Sequence, residues 1–444
     1  MKEQVIELSK YAVDRAIKEG FEEVAAIVNY SRRTMVKFAN SEITVVQRWA
    51  DFKIHLYLVR NQKILIVEGL GRNREDIDKL VVQAKDRIKF IEPTELYAPL
   101  PEPTGKPLTN LVDKILIEET DKAIEVVNAL IDAGHNEGAE KLAGTLHTGY
   151  RIYALVTSKG AELAEDKSFI QVYARAFKGD ISGHWAWAST RFNKNAIVEV
   201  GAKAGRYAAQ DYQVVNVEPG RYQAVLSPLV FGNLIGYVAR AASAFMAMLG
   251  LSMFMKIPPG NVIGSEKLIV IDDPHEVMLP EARGFDDEGV ATFKKHIIDK
   301  GIFKTFLHNS KTASKMGAKT TGNAGWIMPT AWNLIVEPGD MNEEEMIREI
   351  RRGFFILNNW YTRYQNWVEG QFSTVTRDLL LYIENGEIKG LVKRLRIADT
   401  FPNLLKNIIG LSKTRYDIQW WEVRIPTRTP YILVDNVMFT KPEV

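Results

Sequence analysis

The sequence predicts an α+β protein of several domains. Three observations carry that expectation: its length, its globular apolar-to-charged balance, and helix-period segments set between runs of short strand-like segments rather than alternating with them one by one. The chain has 444 residues, 46% apolar and 25% charged, ample for more than one core. Lys plus Arg number 57 and Asp plus Glu 55, a net charge of +2. The basic excess or stripe of a nucleic-acid binder is missing, so none is expected as a partner. There are no cysteines, which rules out disulfides, thiolate ligands and a Cys nucleophile and suits a reducing cytoplasm. The first residues lack the apolar core of a signal peptide, so a cytoplasmic location is expected.

Residues 2–19 read as an amphipathic helix, with Val5, Leu8, Ala12 and Ala16 on one stripe. The strand-like runs EEVAAIVNY, TMVKFAN, EITVVQRWA, DFKIHLYLVR and QKILIVEG follow, with Asn40-Ser41 and Asn61-Gln62 as turns. A second amphipathic helix at 74–89 completes a small N-terminal domain of helix and antiparallel sheet, 1–92. Prolines at 93, 99, 101, 103 and 107 make 93–110 an extended linker. A central α+β domain, 111–218, follows: a helix near 116–134, strands in 140–158, 168–178 and 182–192, and a helix near 195–212. The larger, strand-rich C-terminal domain, 219–444, begins with the strand RYQAVL and one long apolar helix. Asp299-Lys300-Gly301 and Asn385-Gly386 mark hairpins. The apolar run 226–255 could span a bilayer by length alone, but Arg240 in its middle argues for a buried core helix and no membrane partner.

The seven histidines lie no closer than twelve residues apart, so HExxH-type zinc chemistry is absent locally. Asp286, Asp287 and Glu288, between Gly284 and Gly289, suit a cation, a basic partner or acid–base work, or a charged turn; the turn or interface reading is preferred. The stretch 67–74 sits where a dinucleotide fingerprint would, but Arg74 occupies the third glycine position, which excludes it. No nucleophile elbow or P-loop occurs. The loop containing Gly322 and Asn323 could present backbone to a ligand or be a plain connection. The aromatic run from Trp360 to Trp367 fits a sheet core or protein interface better than a nucleic-acid platform, given the charge balance.

The ordered motifs resemble the TldD/PmbA family. FANSEITVVQRWADFKIHLYLVRNQKILIVEGLGRNREDIDKLVVQAKDRIKF resembles its N-terminal domain, and VIDDP, GFDDEG, TTGNAG, WNLIVEPG, EGQFS and IENGEIKG its C-terminal domain in order and spacing. The resemblance implies a cytosolic heterodimeric peptidase for unfolded peptides. One subunit, TldD-like, carries zinc on an HExxxH helix with a further Cys ligand; the other, PmbA-like or TldE, lacks the metal. Here Gly236 and Tyr237 stand where the first histidine and the glutamate would lie, and Ala241 near the second histidine. The chain thus resembles the metal-free subunit: no catalytic residue, no metal ligand and no cofactor of its own, with zinc expected in a TldD-like partner or, failing that, a homodimer. The resemblance and the loops make Gly236, Tyr237, Arg240, Asp286, Asp287, Glu288, Gly322, Asn323, Phe372 and Ser373 the candidate substrate or interface residues. Two alternatives stay open: an autonomous peptidase with a metal site assembled from distant residues, and a DNA gyrase-linked regulator.

Overall fold

The computed structural model describes residues 1–118 and 121–441. Helix α1 (Lys2–Lys18) buries Val5, Leu8, Ala12, Val13 and Ala16, the stripe its periodicity demands. Strands β1 (Glu23–Ala39), β2 (Glu42–Arg60) and β3 (Lys63–Leu70) follow, then α2 (Arg74–Arg87), capped by Asn73. The four short runs read across 22–60 are two long strands. The break at 31–33 falls at Ser31, Arg32 and Arg33, polar residues that stay paired within the ladder. The two-residue turns are as expected: Asn40, Ser41, Asn61 and Gln62 all have positive φ, the geometry that matches the twist of a tight hairpin.

The Pro-rich segment has no helix or strand, as expected, but it is docked rather than free. Leu100 is buried and its N–H donates to Glu23 Oε2 at 3.0 Å, while Thr104 and Gly105 donate to the Gly289 carbonyl. After it come α3 (Lys114–Glu118), α4 (Lys122–Asn136), β4 (Lys141–Thr157), β5 (Glu162–Lys178), β6 (Ile181–Ser189) and α5 (Lys194–Ala208). The helix expected over 116–134 is therefore two segments, and residues 119 and 120 lie outside the described residues. Helices α4 and α5 touch backbone to backbone: a Cβ on Gly201 would lie 1.9 Å from the Leu130 carbonyl oxygen. The N-terminal and central units share one six-stranded sheet, ordered β3-β2-β1-β4-β5-β6, because β1 pairs with β4 from Ala25–Thr157 to Phe38–Gly144. Strand β1 carries partners on both edges, a long-range pairing that no local pattern announces.

Beyond 219 the chain forms two further sheets. Strand β7 (Gly220–Leu226) leads into α6 (Pro228–Ala241), α7 (Ala244–Met248), β8 (Val270–Asp272), β9 (Lys295–Asp299) and β10 (Ile302–Phe303). Then come α8 (Ser310–Lys315), β11 (Leu334–Val336), α9 (Glu343–Arg348), β12 (Arg352–Asn366), β13 (Gln371–Glu384), β14 (Glu387–Leu391) and β15 (Arg396–Thr400). The chain ends with α10 (Phe401–Lys406), β16 (Ile408–Leu411), β17 (Tyr416–Ile418), β18 (Thr427–Thr429) and β19 (Ile432–Thr440). One sheet runs β10-β9-β8-β11-β18-β17. The other runs β12-β7-β19-β15-β13-β14, and an extra β12–β13 pairing closes it into a barrel. Strand density with segregated helices makes this an α+β fold. Helix α6 fills the barrel's mouth, with Val230, Phe231, Leu234, Ile235 and Val238 in the largest core.

The apolar run expected as one helix to 255 stops at Ala241. The backbone there turns to pair with Leu307, whose N–H donates to the Ala242 carbonyl while Ala244 N–H donates back. Uniform apolarity hides such a break, since no face changes character. Among the described residues no helix is long and apolar enough to cross a membrane.

Candidate functional site

Ser227 starts α6: its hydroxyl accepts from the N–H of Leu229 and Val230, and Pro228 supplies the preset φ of a first helical residue. The buried face of α6 is apolar. The other face presents Gly232, Asn233, Gly236, Tyr237 and Arg240 at helical spacing to a cavity of about 460 Å3. Met328, Thr330, Glu422, Arg424 and Ile425 complete its wall.

Asn233 knits the wall together. Its Nδ2 donates to the Glu422 carbonyl at 2.7 Å, and its Oδ1 accepts from Asn359 Nδ2 (2.9 Å) and Thr362 Oγ1 (2.6 Å). Thr374 Oγ1 accepts from Asn359 Nδ2 at 2.9 Å and lies 2.7 Å from Thr362 Oγ1. A buried polar network of this kind fixes one geometry because any other leaves groups unpaired. Tyr237 donates to the Thr362 carbonyl at 2.5 Å, and its own carbonyl accepts from Tyr364 at 3.0 Å. Burial, with Glu422 adding to it, raises the Tyr237 phenol above its ordinary value, so it stays a neutral donor. Burial also raises the Glu422 carboxyl, while the Tyr361 N–H and Arg424 pull it back. Arg240 lies at the helix end with its guanidinium 5.6 Å from the Trp367 ring centre.

This lining does not fit a catalytic zinc ion. A Cβ on Gly236 would meet nothing within 4 Å, so there is room for a ligand side chain, but glycine offers none. Tyr237 and Arg240 bring a neutral phenol and a cation, and Ala241 is fully buried away from the cavity. Among the described residues no three His, Cys, Asp or Glu side chains converge to hold a metal.

The other candidates lie elsewhere. Asp286 is fully buried; it accepts from the N–H groups of Glu288, Val290 and Ala324 and so holds the 284–290 turn against the 320s loop. Glu288 accepts from the Ser310 N–H and hydroxyl. Burial raises both carboxyls, and their mutual repulsion adds to it for Asp286. Asp287 accepts from the Tyr153 hydroxyl (2.7 Å) and Arg283 (3.0 Å) at the edge of a second cavity. Gly322 (φ +66°) packs where a Cβ would lie 2.4 Å from the Ala291 carbonyl. Asn323 donates to Asp272 Oδ2 and the Thr330 carbonyl. Phe372 is buried and stacks on Phe401 at 4.2 Å; the Ser373 hydroxyl accepts from Gln365 and Arg396. Only Gly236, Tyr237 and Arg240 thus share one cavity. Sequence reasoning missed Glu422 and Arg424. They arrive from nearly two hundred residues away, and WWEVRIP carries no local motif.

Residues 219–441 match the family model of the PmbA/TldA metallopeptidase C-terminal domain. A metalloprotease of Methanocaldococcus jannaschii is 32% identical over 202 residues, 44% of this chain and 44% of that protein. Metalloprotease PmbA of Escherichia coli O157:H7 is 28% identical over 200 residues, 44% of this chain and 42% of that one. The chain thus matches less than half the length of these two relatives. The fold likeness is wider: the crystal structure of TldE from Thermococcus kodakarensis superposes with a TM-score of 0.85 at 20% identity, over 98% of this chain and 100% of that one. The fold, the ordered motifs and the matched C-terminal half place this chain in the PmbA/TldD family of metalloprotease-type proteins.

Proposed function

We propose that this chain is the metal-free subunit of a cytosolic two-chain peptidase, and that a TldD-like partner with an HExxxH helix supplies the zinc. The observation that carries this reading is the cavity face of α6. Where a zinc helix would present a histidine and a glutamate, it presents Gly236 and Tyr237, with Arg240 one turn on. A guanidinium beside the position of a dication opposes binding it, and Glu422, the one carboxyl group in the wall, falls short of the three ligands a zinc site needs.

The chain's own contribution is then the wall of a peptide chamber. Tyr237 offers a neutral hydroxyl, Arg240 and Arg424 offer cationic donors, and Glu422 an acceptor. These groups can hold the carbonyls and N–H groups of an extended backbone without reading side chains, which suits unfolded peptides of varied sequence. The Asn233 network fixes the Glu422 backbone and, through Thr362, Tyr237 before substrate arrives, which lowers the ordering cost of binding. The histidines of the partner's HExxxH helix would hold the zinc, which would supply an activated water for peptide hydrolysis.

The test is reconstitution: this chain, a TldD-like homologue and the mixture are each given an unfolded protein substrate. Cleavage by the mixture well above either chain alone supports the reading. Cleavage by this chain alone after chelator treatment and partner-free purification refutes it.

A further inference from the structure

A second cavity, of about 320 Å3, lies between the six-stranded sheet and the 283–287 turn. Its floor is one face of the sheet. Register places Lys53, Asn29, Tyr153 and Glu165 side by side on β2, β1, β4 and β5, and Ser31, Arg151 and Lys167 on the adjacent same-face rung. The opposite face packs the apolar core under α1 and α2.

Each acid lining this cavity already accepts two hydrogen bonds through one of its oxygens. Glu165 Oε1 accepts from the N–H of Leu108 (2.6 Å) and Gly284 (2.7 Å). Asp287 is taken by Tyr153 and Arg283. Glu281 sits among Lys167, Arg151 and Arg283; burial alone would raise its carboxyl, yet these three cations hold it at about 2. The cations keep donors to spare. Arg33 Nε and Arg283 Nε are buried without an acceptor, and Lys53 has no ion-pair partner among the described residues. Arg283 is held rigidly, 3.9 Å from the Trp332 ring centre and 5.1 Å from that of Tyr153. One acceptor lacks a donor, Asn29 Oδ1. The surplus is therefore several cationic N–H donors around a void, one amide acceptor beside them, and aromatic walls in Phe285, Tyr153 and Trp332. That pattern complements a carboxylate followed by a backbone N–H and a small side chain.

We propose that this cavity binds the free α-carboxylate end of a short peptide, with Lys53, Arg151 and the Arg33–Arg283 guanidiniums facing the carboxylate and Asn29 accepting the terminal amide N–H. It deepens the peptidase reading and rests on it for the ligand class. Its test uses the isolated full chain without any partner, so failure here leaves the reconstitution result untouched.

Calorimetric titration of the purified chain with trialanine, trialanine amide and acetate separates the possibilities. The expected order is trialanine tightest, with the amide and acetate each about tenfold weaker or more, the loss that follows from removing a charge-assisted contact. Lys53→Gln plus Arg151→Gln weakens trialanine binding by about tenfold, with a modest fall in melting temperature from the loss of Arg151 beside Glu281. Should the double variant fail to fold, exposed Lys53→Gln alone decides, with a loss of about threefold expected for a solvent-facing charge. Equal binding of acid and amide, acetate as tight as the tripeptide, no heat of binding at millimolar trialanine, or a folded Lys53→Gln with wild-type affinity each overturns the proposal.

Discussion

Replacing Asn233 with alanine tests whether the α6 cavity is held by its polar network. The side chain makes three hydrogen bonds, to the Glu422 carbonyl, Asn359 and Thr362. Their loss is unequal. Asn359 Nδ2 keeps Thr362 and Thr374 as acceptors, and Thr362 Oγ1 keeps Thr374 at 2.7 Å, so each forfeits about 1 kcal/mol. The Glu422 carbonyl loses its side-chain donor in a part-buried setting, a further ~1–2 kcal/mol. The total is about 3–4 kcal/mol. The assay is urea unfolding of the isolated chain followed by tryptophan fluorescence, with the midpoint falling and the slope of the transition unchanged. Below the melting range, the reconstituted pair should also lose peptide cleavage, because the same bond positions Glu422 and Arg424. A loss of stability under about 1 kcal/mol, or a stable variant with full activity, would refute the role given to Asn233.

Two helical glycines make opposite predictions. Gly201→Ala forces a methyl to within 1.9 Å of the Leu130 carbonyl oxygen and should cost about 2–3 kcal/mol in thermal melting. Gly236→Ala points into open space and should stabilise α6 by about 0.5–1 kcal/mol. Arg240→Gln should leave the melting temperature unchanged and lower cleavage by the reconstituted pair about tenfold, since Arg240 is exposed on the cavity rim. The Glu281 carboxyl lies near 4.5 in the unfolded chain and is held at about 2 in the folded one, so its contribution is fully present above pH 4.5 and is lost as pH falls toward 2. That amounts to about 3 kcal/mol, and Glu281→Gln should flatten the acid limb of the stability–pH curve by a comparable amount.

The elements most legible in the sequence are those set by local rules. The stripe of α1 and the turns at Asn40-Ser41, Asn61-Gln62, Lys300-Gly301 and Asn385-Gly386 fall where residue chemistry places them, because positive φ and helical period are one-segment properties. What stayed hidden is long-range. The β1–β4 pairing that joins the first two units into one sheet, and the end of α6 at Ala241, depend on partners far along the chain. The same holds for the site. Gly236, Tyr237 and Arg240 share a helix face and were legible together, whereas Glu422 and Arg424 meet them only through the fold. Asp286, Glu288, Gly322 and Asn323 drew notice as a charged or small-residue loop. Their chemistry serves the loop itself, because buried carboxylates and an αL glycine are what such a turn needs.

Zinc stoichiometry is the most direct test of the division of labour between two chains. The purified pair, this chain alone and the pair with the partner's HExxxH histidines replaced by alanine are analysed for metal after dialysis. The expected result is one zinc per pair, none on this chain, and none on the pair once the partner's histidines are gone. Stoichiometric zinc on this chain alone, or zinc and cleavage surviving the loss of the partner's ligands, would contradict it.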